Sequence, residues 1–166
     1  MEHPTATALA EQTHIAYTEG ASHGNPGPGA WAHFTHNPDG TFTEASGFLR
    51  DTTNQRAELL AAICALEMTS EGARVHIYSD SAYVVNGATQ WLEAWKVKNW
   101  RNAQKKSVKN RDLWERLDGL LDTRTVTFEH IPGHAGIPGN ERVNALAQDT
   151  TTGRAGFGPI TFAIEQ

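Results

Sequence analysis

The sequence predicts a single α/β domain, and three observations carry that prediction. Residues 14–48 break into three strand-like runs, residues 53–68 hold an apolar stripe at helical spacing, and two later runs, Arg74–Asp80 and Thr125–His130, alternate like strands again. The element order is therefore βββαβ(ααα)βα with no internal repeat. A chain of 166 residues is long enough to bury about two-thirds of its unfolded surface around one core.

Each element has a local reason. Residues 1–13 lack usable periodicity and are expected to be a flexible tail. Ile15 and Tyr17 alternate with Ala16 and Thr18, and the run delivers Glu19 to a turn in which Gly20, Gly24, Pro26, Gly27, Pro28 and Gly29 are expected to end the strand. A carboxylate at a strand's carboxyl end is where open α/β sheets place ligands. Ala30–His36 and Thr41–Phe48 flank Asn37-Pro-Asp-Gly40, which predicts a hairpin. Thr52-Thr-Asn-Gln55 reads as a capping box, and Leu59, Ala62, Ile63 and Leu66 share one face of the helix it would open. Glu58 lies at the edge of that stripe. Arg74–Asp80 then brings a second carboxylate to a second strand end, parallel to an earlier strand by way of the crossover helix. Ser81 offers a cap for a short helix that Gly87 can stop, and residues 90–96 and 111–121 read as helices. Residues 132–139 form a second Gly/Pro-rich loop, which contains His134. A last helix starts near Asn140 and carries Asn140, Asn144 and Gln148 on one face. Residues 150–166 are expected to be a peripheral tail.

Composition narrows the function. A single cysteine, Cys64, excludes an intrachain disulfide, and no run approaches the ~18 apolar residues of a membrane helix. The expectation is a cytoplasmic protein, monomeric and without a membrane partner. The net charge of −5 hides an asymmetry. Between Ala94 and Arg111 stand seven basic residues (Lys96, Lys98, Arg101, Lys105, Lys106, Lys109 and Arg111) and no acid, so the rest of the chain sits near −12. A positive field confined to one segment is the footprint of phosphate contact.

Eight strings carry a resemblance to a known family: Tyr17-Thr-Glu-Gly20, Gly24-Asn-Pro-Gly-Pro-Gly29, Thr53-Asn-Gln-Arg-Ala-Glu-Leu59, Ser79-Asp-Ser-Ala-Tyr83, Gln90-Trp91, Lys105-Lys106, Val108-Lys-Asn-Arg-Asp-Leu-Trp114 and Gly133-His-Ala-Gly-Ile-Pro-Gly-Asn-Glu-Arg142. Over residues 14–149 the chain resembles the type-1 ribonuclease H family. The resemblance implies a ribonuclease H-like fold, a five-stranded mixed sheet of three antiparallel and two parallel strands flanked by helices. It also implies a metal-dependent endonuclease that cuts the RNA strand of RNA/DNA hybrids, leaving a 5′-phosphate and largely indifferent to sequence.

The family's four acidic positions fall on Glu19, Glu58, Asp80 and Asn144, so two depart from its usual Asp. These four are the implied metal ligands, with His134 as the implied proton-transfer residue. Two Mg²⁺ ions are implied, one to generate and orient hydroxide and one to stabilise the leaving oxygen. Glu19 adds a methylene, re-aiming its oxygens by roughly an ångström, a misplacement that can cost about a hundredfold in rate. Asn144 keeps an acceptor oxygen and loses a charge, which should hurt Mg²⁺ more than Mn²⁺. Asn25, Thr53, Asn54 and Gln55 match positions that contact hybrid backbone and minor groove, where 2′-hydroxyls distinguish RNA from DNA. Trp91, Lys96, Lys98, Lys105 and Lys106 match the region that grips the DNA strand, with Trp95 and Trp100 as packing residues. Such phosphate contacts position a duplex without reading its sequence.

Two other readings stand beside the nuclease. One is a hybrid-binding protein whose cleavage is lost or strongly reduced through Glu19 and Asn144. The other is an interaction protein using the fold as scaffold, which a salt-sensitive preference for hybrid would exclude.

Overall fold

A computed structural model of the chain describes residues 12–163; most of the expected N-terminal tail, residues 1–11, lies outside the described residues, as do residues 164–166. Six strands form one mixed sheet: β1 (Thr13–Ser22), β2 (Gly27–His36), β3 (Phe42–Thr52), β4 (Arg74–Ser79), β5 (Thr125–His130) and β6 (Phe157–Phe162). Their spatial order is β5-β4-β1-β2-β3-β6. The three-stranded meander and the parallel β1–β4 and β4–β5 pairs match the expectation. The sixth strand was not foreseen. It comes from the segment expected to be a peripheral tail, and it pairs antiparallel with β3. Arg142 holds it from above, its guanidinium 4.5 Å from the Phe34 ring centroid and 5.3 Å from that of Phe162.

The helices are α1 (Asn54–Glu67), α2 (Ala82–Asn86), α3 (Leu92–Val97), α4 (Arg111–Asp122) and α5 (Pro138–Gly153), with a π-helical turn over Gly87–Trp91 joining α2 to α3. The cap of α1 is displaced by one residue from the expected box: Thr53, not Thr52, takes the Arg56 N–H. α1 seals one face of the sheet with Leu59, Ile63 and Leu66 against Ala16, Val75 and Ile77, and the Trp114 ring of α4 closes that core. At about 25 cal/mol per Å², each fully buried aliphatic chain contributes roughly 2 kcal/mol to this layer. α5 lies on the other face, against β1, β2 and β3. Its last turn, with buried Thr150 and Thr151, extends past the expected boundary at residue 149.

Two glycines act differently from the expectation. Gly20 does not end β1, which runs on to Ser22. A Cβ there would lie 2.2 Å from the α1 backbone at Ala57 and Glu58, so the glycine lets the helix seat directly on the strand. Gly87 does not stop α2; it has helical dihedrals, and a Cβ would lie 2.1 Å from the Trp114 ring. In both places close packing, not chain reversal, demands the missing side chain.

Candidate active site

The parallel register of β1 and β4 builds the site. Thr18 pairs with Ser79, so the next residues, Glu19 and Asp80, emerge side by side where the strands separate. Glu58 comes from the second turn of α1, and its Oε1 accepts the Gly20 N–H at 3.0 Å. One carboxylate oxygen from each of Glu19, Glu58 and Asp80 lies within 4.8 Å of the others. Glu19 and Glu58 are buried, Asp80 half-buried.

Such a cluster is electrostatically unfavourable on its own. Burial pushes the Glu19 carboxyl up to about 7, and the Asp80 charge adds to the rise. Burial also raises Glu58 well above the usual carboxylate range, helped by the shared hydrogen bond and charge of Glu19 and by the charge of Asp80. Oε2 of Glu19 and Oε2 of Glu58 are buried and have no hydrogen-bond partner. Buried carboxylate oxygens are normally satisfied. Two orphaned ones in a ring of three carboxylates fit a hard divalent cation, whose preferred donors are oxygens of this kind.

The remaining candidates surround this centre. His134 lies in the exposed loop before α5 with a left-handed backbone, φ 54°. Asn144, half-buried on α5, places Nδ2 3.3 Å from His134 Nδ1. The same loop passes close to Asp80: a Cβ on Gly133 would lie 2.7 Å from Asp80 Oδ2. On the α1 side, Asn25 Oδ1 accepts the Asn54 N–H at 3.0 Å, and Asn54 Oδ1 in turn accepts from the Ser22 N–H and hydroxyl, both at 3.0 Å. Thr53 caps α1, and Gln55 is half-buried in its first turn. These four form one polar rim linking the β1–β2 turn to the helix that carries Glu58.

The basic segment is a separate feature. Trp91 is 38% exposed and packs on Tyr83 and Trp95, whose ring continues onto Trp114. Lys98, Lys105 and Lys106 are exposed, the last two in the loop closed by an isolated bridge between Arg101 and Ser107. Lys96 differs from them. Its ammonium sits 3.1 Å from Asp118 and 3.4 Å from Glu93, and these acids raise its pKa, Asp118 most. Its charge is committed inside the protein.

Two further residues escaped the sequence reading. Arg56 makes a two-pronged ion pair with Asp112, at 2.9 and 2.8 Å, and ties α1 to the end of the basic segment. Its place inside the string Thr53–Leu59 was the available signal. His130, the last residue of β5, sets Nε2 3.1 Å from the Asp80 main-chain oxygen. No local pattern marks that contact.

The chain is similar to known proteins over most of its length. The RNase H family profile matches residues 11–152. The chain is 48% identical to a ribonuclease H of Jannaschia sp. (strain CCS1), covering 88% of this chain and 92% of that one. It is 47% identical to a ribonuclease H of Paracoccus denitrificans (strain Pd 1222), covering 88% and 93%. Among solved structures, LC9-RNase H1, described as a type 1 RNase H with the type 2 active-site motif, superposes with a TM-score of 0.79 at 25% identity, over 94% of this chain and 77% of that one. LC11-RNase H1 in complex with RNA/DNA hybrid shares the fold, with a TM-score of 0.64 at 22% identity over 85% and 98% of the two chains. By profile, by identity and by fold, this chain belongs to the ribonuclease H family of enzymes.

Proposed function

We propose that this chain hydrolyses the RNA strand of RNA/DNA hybrids, as a cytoplasmic monomer, with Glu19, Glu58 and Asp80 holding divalent cations. Two ions serve per site once hybrid is bound, Mg²⁺ by preference of supply and Mn²⁺ as substitute. One observation carries the reading: two buried carboxylate oxygens without partners, inside a three-carboxylate cluster at the carboxyl end of the sheet. When bound, such ions lower the pKa of water and stabilise charge on the leaving oxygen.

The chain's own residues do the rest. Glu19 and Glu58, crowded with Asp80 and partly out of water, favour holding protons in the absence of an ion and exchange them for a cation when one enters. Asn144 can only donate through Nδ2, so His134 Nδ1 accepts and the neutral ring carries its proton on Nε2. That leaves Asn144 Oδ1 to complete the first cation site and His134 Nε2–H to hydrogen-bond the departing 3′-oxygen, steering toward it the water that supplies its proton. Asn25, Thr53, Asn54 and Gln55 receive the hybrid's minor groove. Trp91, Lys98, Lys105 and Lys106 receive the DNA-strand phosphates, with Lys96 contributing less because Asp118 already holds it.

The alternative, a hybrid binder that no longer cuts, draws on the longer Glu19 side chain and the uncharged Asn144. Cleavage of an end-labelled hybrid, first with Mg²⁺ and then with Mn²⁺, separates the two. The nuclease reading predicts cutting, faster with Mn²⁺. If neither ion supports cutting while Glu19→Asp combined with Asn144→Asp does, the binder reading stands.

A further inference from the structure

We propose that His130 is a positioning residue for Asp80, an inference that rests on the function proposed above and adds a residue to it. β4 and β5 pair in parallel as far as Ser79 and His130, and the last rung is the Ile131 N–H to the Ser79 carbonyl at 2.9 Å. Beyond it the chain runs into Pro132-Gly133, and among the described residues no main-chain N–H reaches the Asp80 carbonyl. On the other side, α2 does not take up the Asp80 carbonyl either, because the Val84 N–H that would reach it is capped by Ser81 Oγ at 3.2 Å. The residue carrying the carboxylate therefore lies just beyond the sheet and just before the helix.

His130 fills that gap with its side chain. Its Nε2 lies 3.1 Å from the Asp80 carbonyl oxygen. That oxygen can only accept, so the ring donates, and the imidazole acts as one more rung of the ladder. A second restraint comes from the same connection, where the Gly133 backbone passes so close to Asp80 Oδ2 that no side chain would fit between them. Asp80 is thus held at its carbonyl by His130 and flanked at its carboxylate by Gly133, both from the segment that leads to His134. Among the described residues no hydrogen bond or ion pair joins the imidazole to the carboxylate, so His130 acts through backbone placement.

The contact is exposed, and water competes for both groups, so a modest effect is expected. His130→Phe, which keeps a ring without the donor, and His130→Ala should each bind Mn²⁺ about fivefold more weakly in calorimetry of the free protein, the size of one neutral hydrogen bond. Their kcat on hybrid should fall in step while KM stays within about twofold, because the groove contacts are untouched. His130→Gln, whose amide N–H can reach the same carbonyl, should restore the native Mn²⁺ affinity. Unchanged Mn²⁺ affinity in both loss variants, or a glutamine variant as weak as the phenylalanine one, overturns the proposal. Native protein that neither binds Mn²⁺ nor cuts hybrid would bring down the proposed function and this inference together. Native protein that does both, beside a His130→Phe variant that matches it, would bring down this inference alone.

Discussion

The carboxylate end of the sheet and the basic segment are opposites in construction. Glu19 and Glu58 are 6% and 8% exposed, held by strand register and a helix seated on Gly20, and two of their oxygens lack partners. In the basic segment Lys98, Arg101, Lys105, Lys106 and Lys109 are exposed, and among the described residues they join no ion pair. The chain there turns through left-handed residues Asn99, Trp100, Lys105 and Asn110. One region concentrates like charge in a dry, fixed place, at a cost to the folded state. The other spreads charge over a wet, redundant surface at little cost. Chemistry on a single phosphodiester demands the first arrangement, and holding a long polyanion tolerates the second.

The comparison breaks most visibly at the carboxylates. Glu58→Gln should lower the rate of hybrid cleavage by about a thousandfold or more, the scale of losing one group aimed at developing charge. The same substitution should raise the melting temperature of the metal-free protein, since burial, and then the neighbouring Glu19 and Asp80, make an ionisable carboxyl costlier there than a neutral amide. Loss of both activity and stability would mean that Glu58 is structural rather than a site residue.

The next effect is in pH dependence. Glu19 stands at about 7 against an ordinary 4.5, so the folded state binds the proton more tightly than the unfolded chain. Its contribution to stability is complete below 4.5 and is lost as pH rises through 7, an amount of roughly 3 kcal/mol. His33 slopes the other way: burial pushes it down to about 4 from 6.5, so its contribution is complete above 6.5 and is lost as pH falls toward 4. Native protein and Glu19→Gln share His33, so their stability difference cancels its slope and reports Glu19 together with its effect on Glu58. In EDTA the native protein should lose stability relative to the variant between about pH 5 and about pH 8, and saturating Mn²⁺ should abolish that loss.

A smaller effect tests whether the basic segment depends on its base. Gly87→Ala forces a methyl into the Trp114 ring and should cost about 2 kcal/mol in denaturant unfolding. Because Trp114 carries the Trp95–Trp91 stack, the KM for hybrid should rise while Mn²⁺ affinity holds. The smallest effect belongs to the surface charges. Lys105→Ala with Lys106→Ala should raise KM by about two- to fivefold, leave kcat unchanged, and reduce the salt slope of hybrid binding by about two.

Much of this was legible in the chain itself, and what was not shares one physical cause. Glu19, Glu58 and Asp80 each sit inside or at the end of a periodic run, so local pattern alone put them at strand ends and on a helix edge. The hairpin at Asn37–Gly40 and the α4 stripe Leu113, Leu117, Leu120 and Leu121 were readable for the same reason. β6 was not, because Gly156, Gly158 and Pro159 mark the segment as a peripheral tail, and pairing with β3 and the Arg142 contact hold it as a strand. Gly20 and Gly87 looked like terminators because their packing partners, Ala57 and Trp114, lie 37 and 27 positions away. The commitment of Lys96 to Asp118 and the reach of His130 to Asp80 likewise join distant segments. Local spacing encodes none of these meetings.

The central claim is that Glu19, Glu58 and Asp80 form a cation site whose protons must leave when an ion enters. Mn²⁺ titration by calorimetry at about pH 7, repeated in buffers of different ionisation enthalpy, tests it most directly. The account predicts binding accompanied by release of about one proton per ion, with both the binding and the release much reduced in Glu58→Gln. Absence of Mn²⁺ binding, or binding of equal strength in native protein and Glu58→Gln, would contradict it.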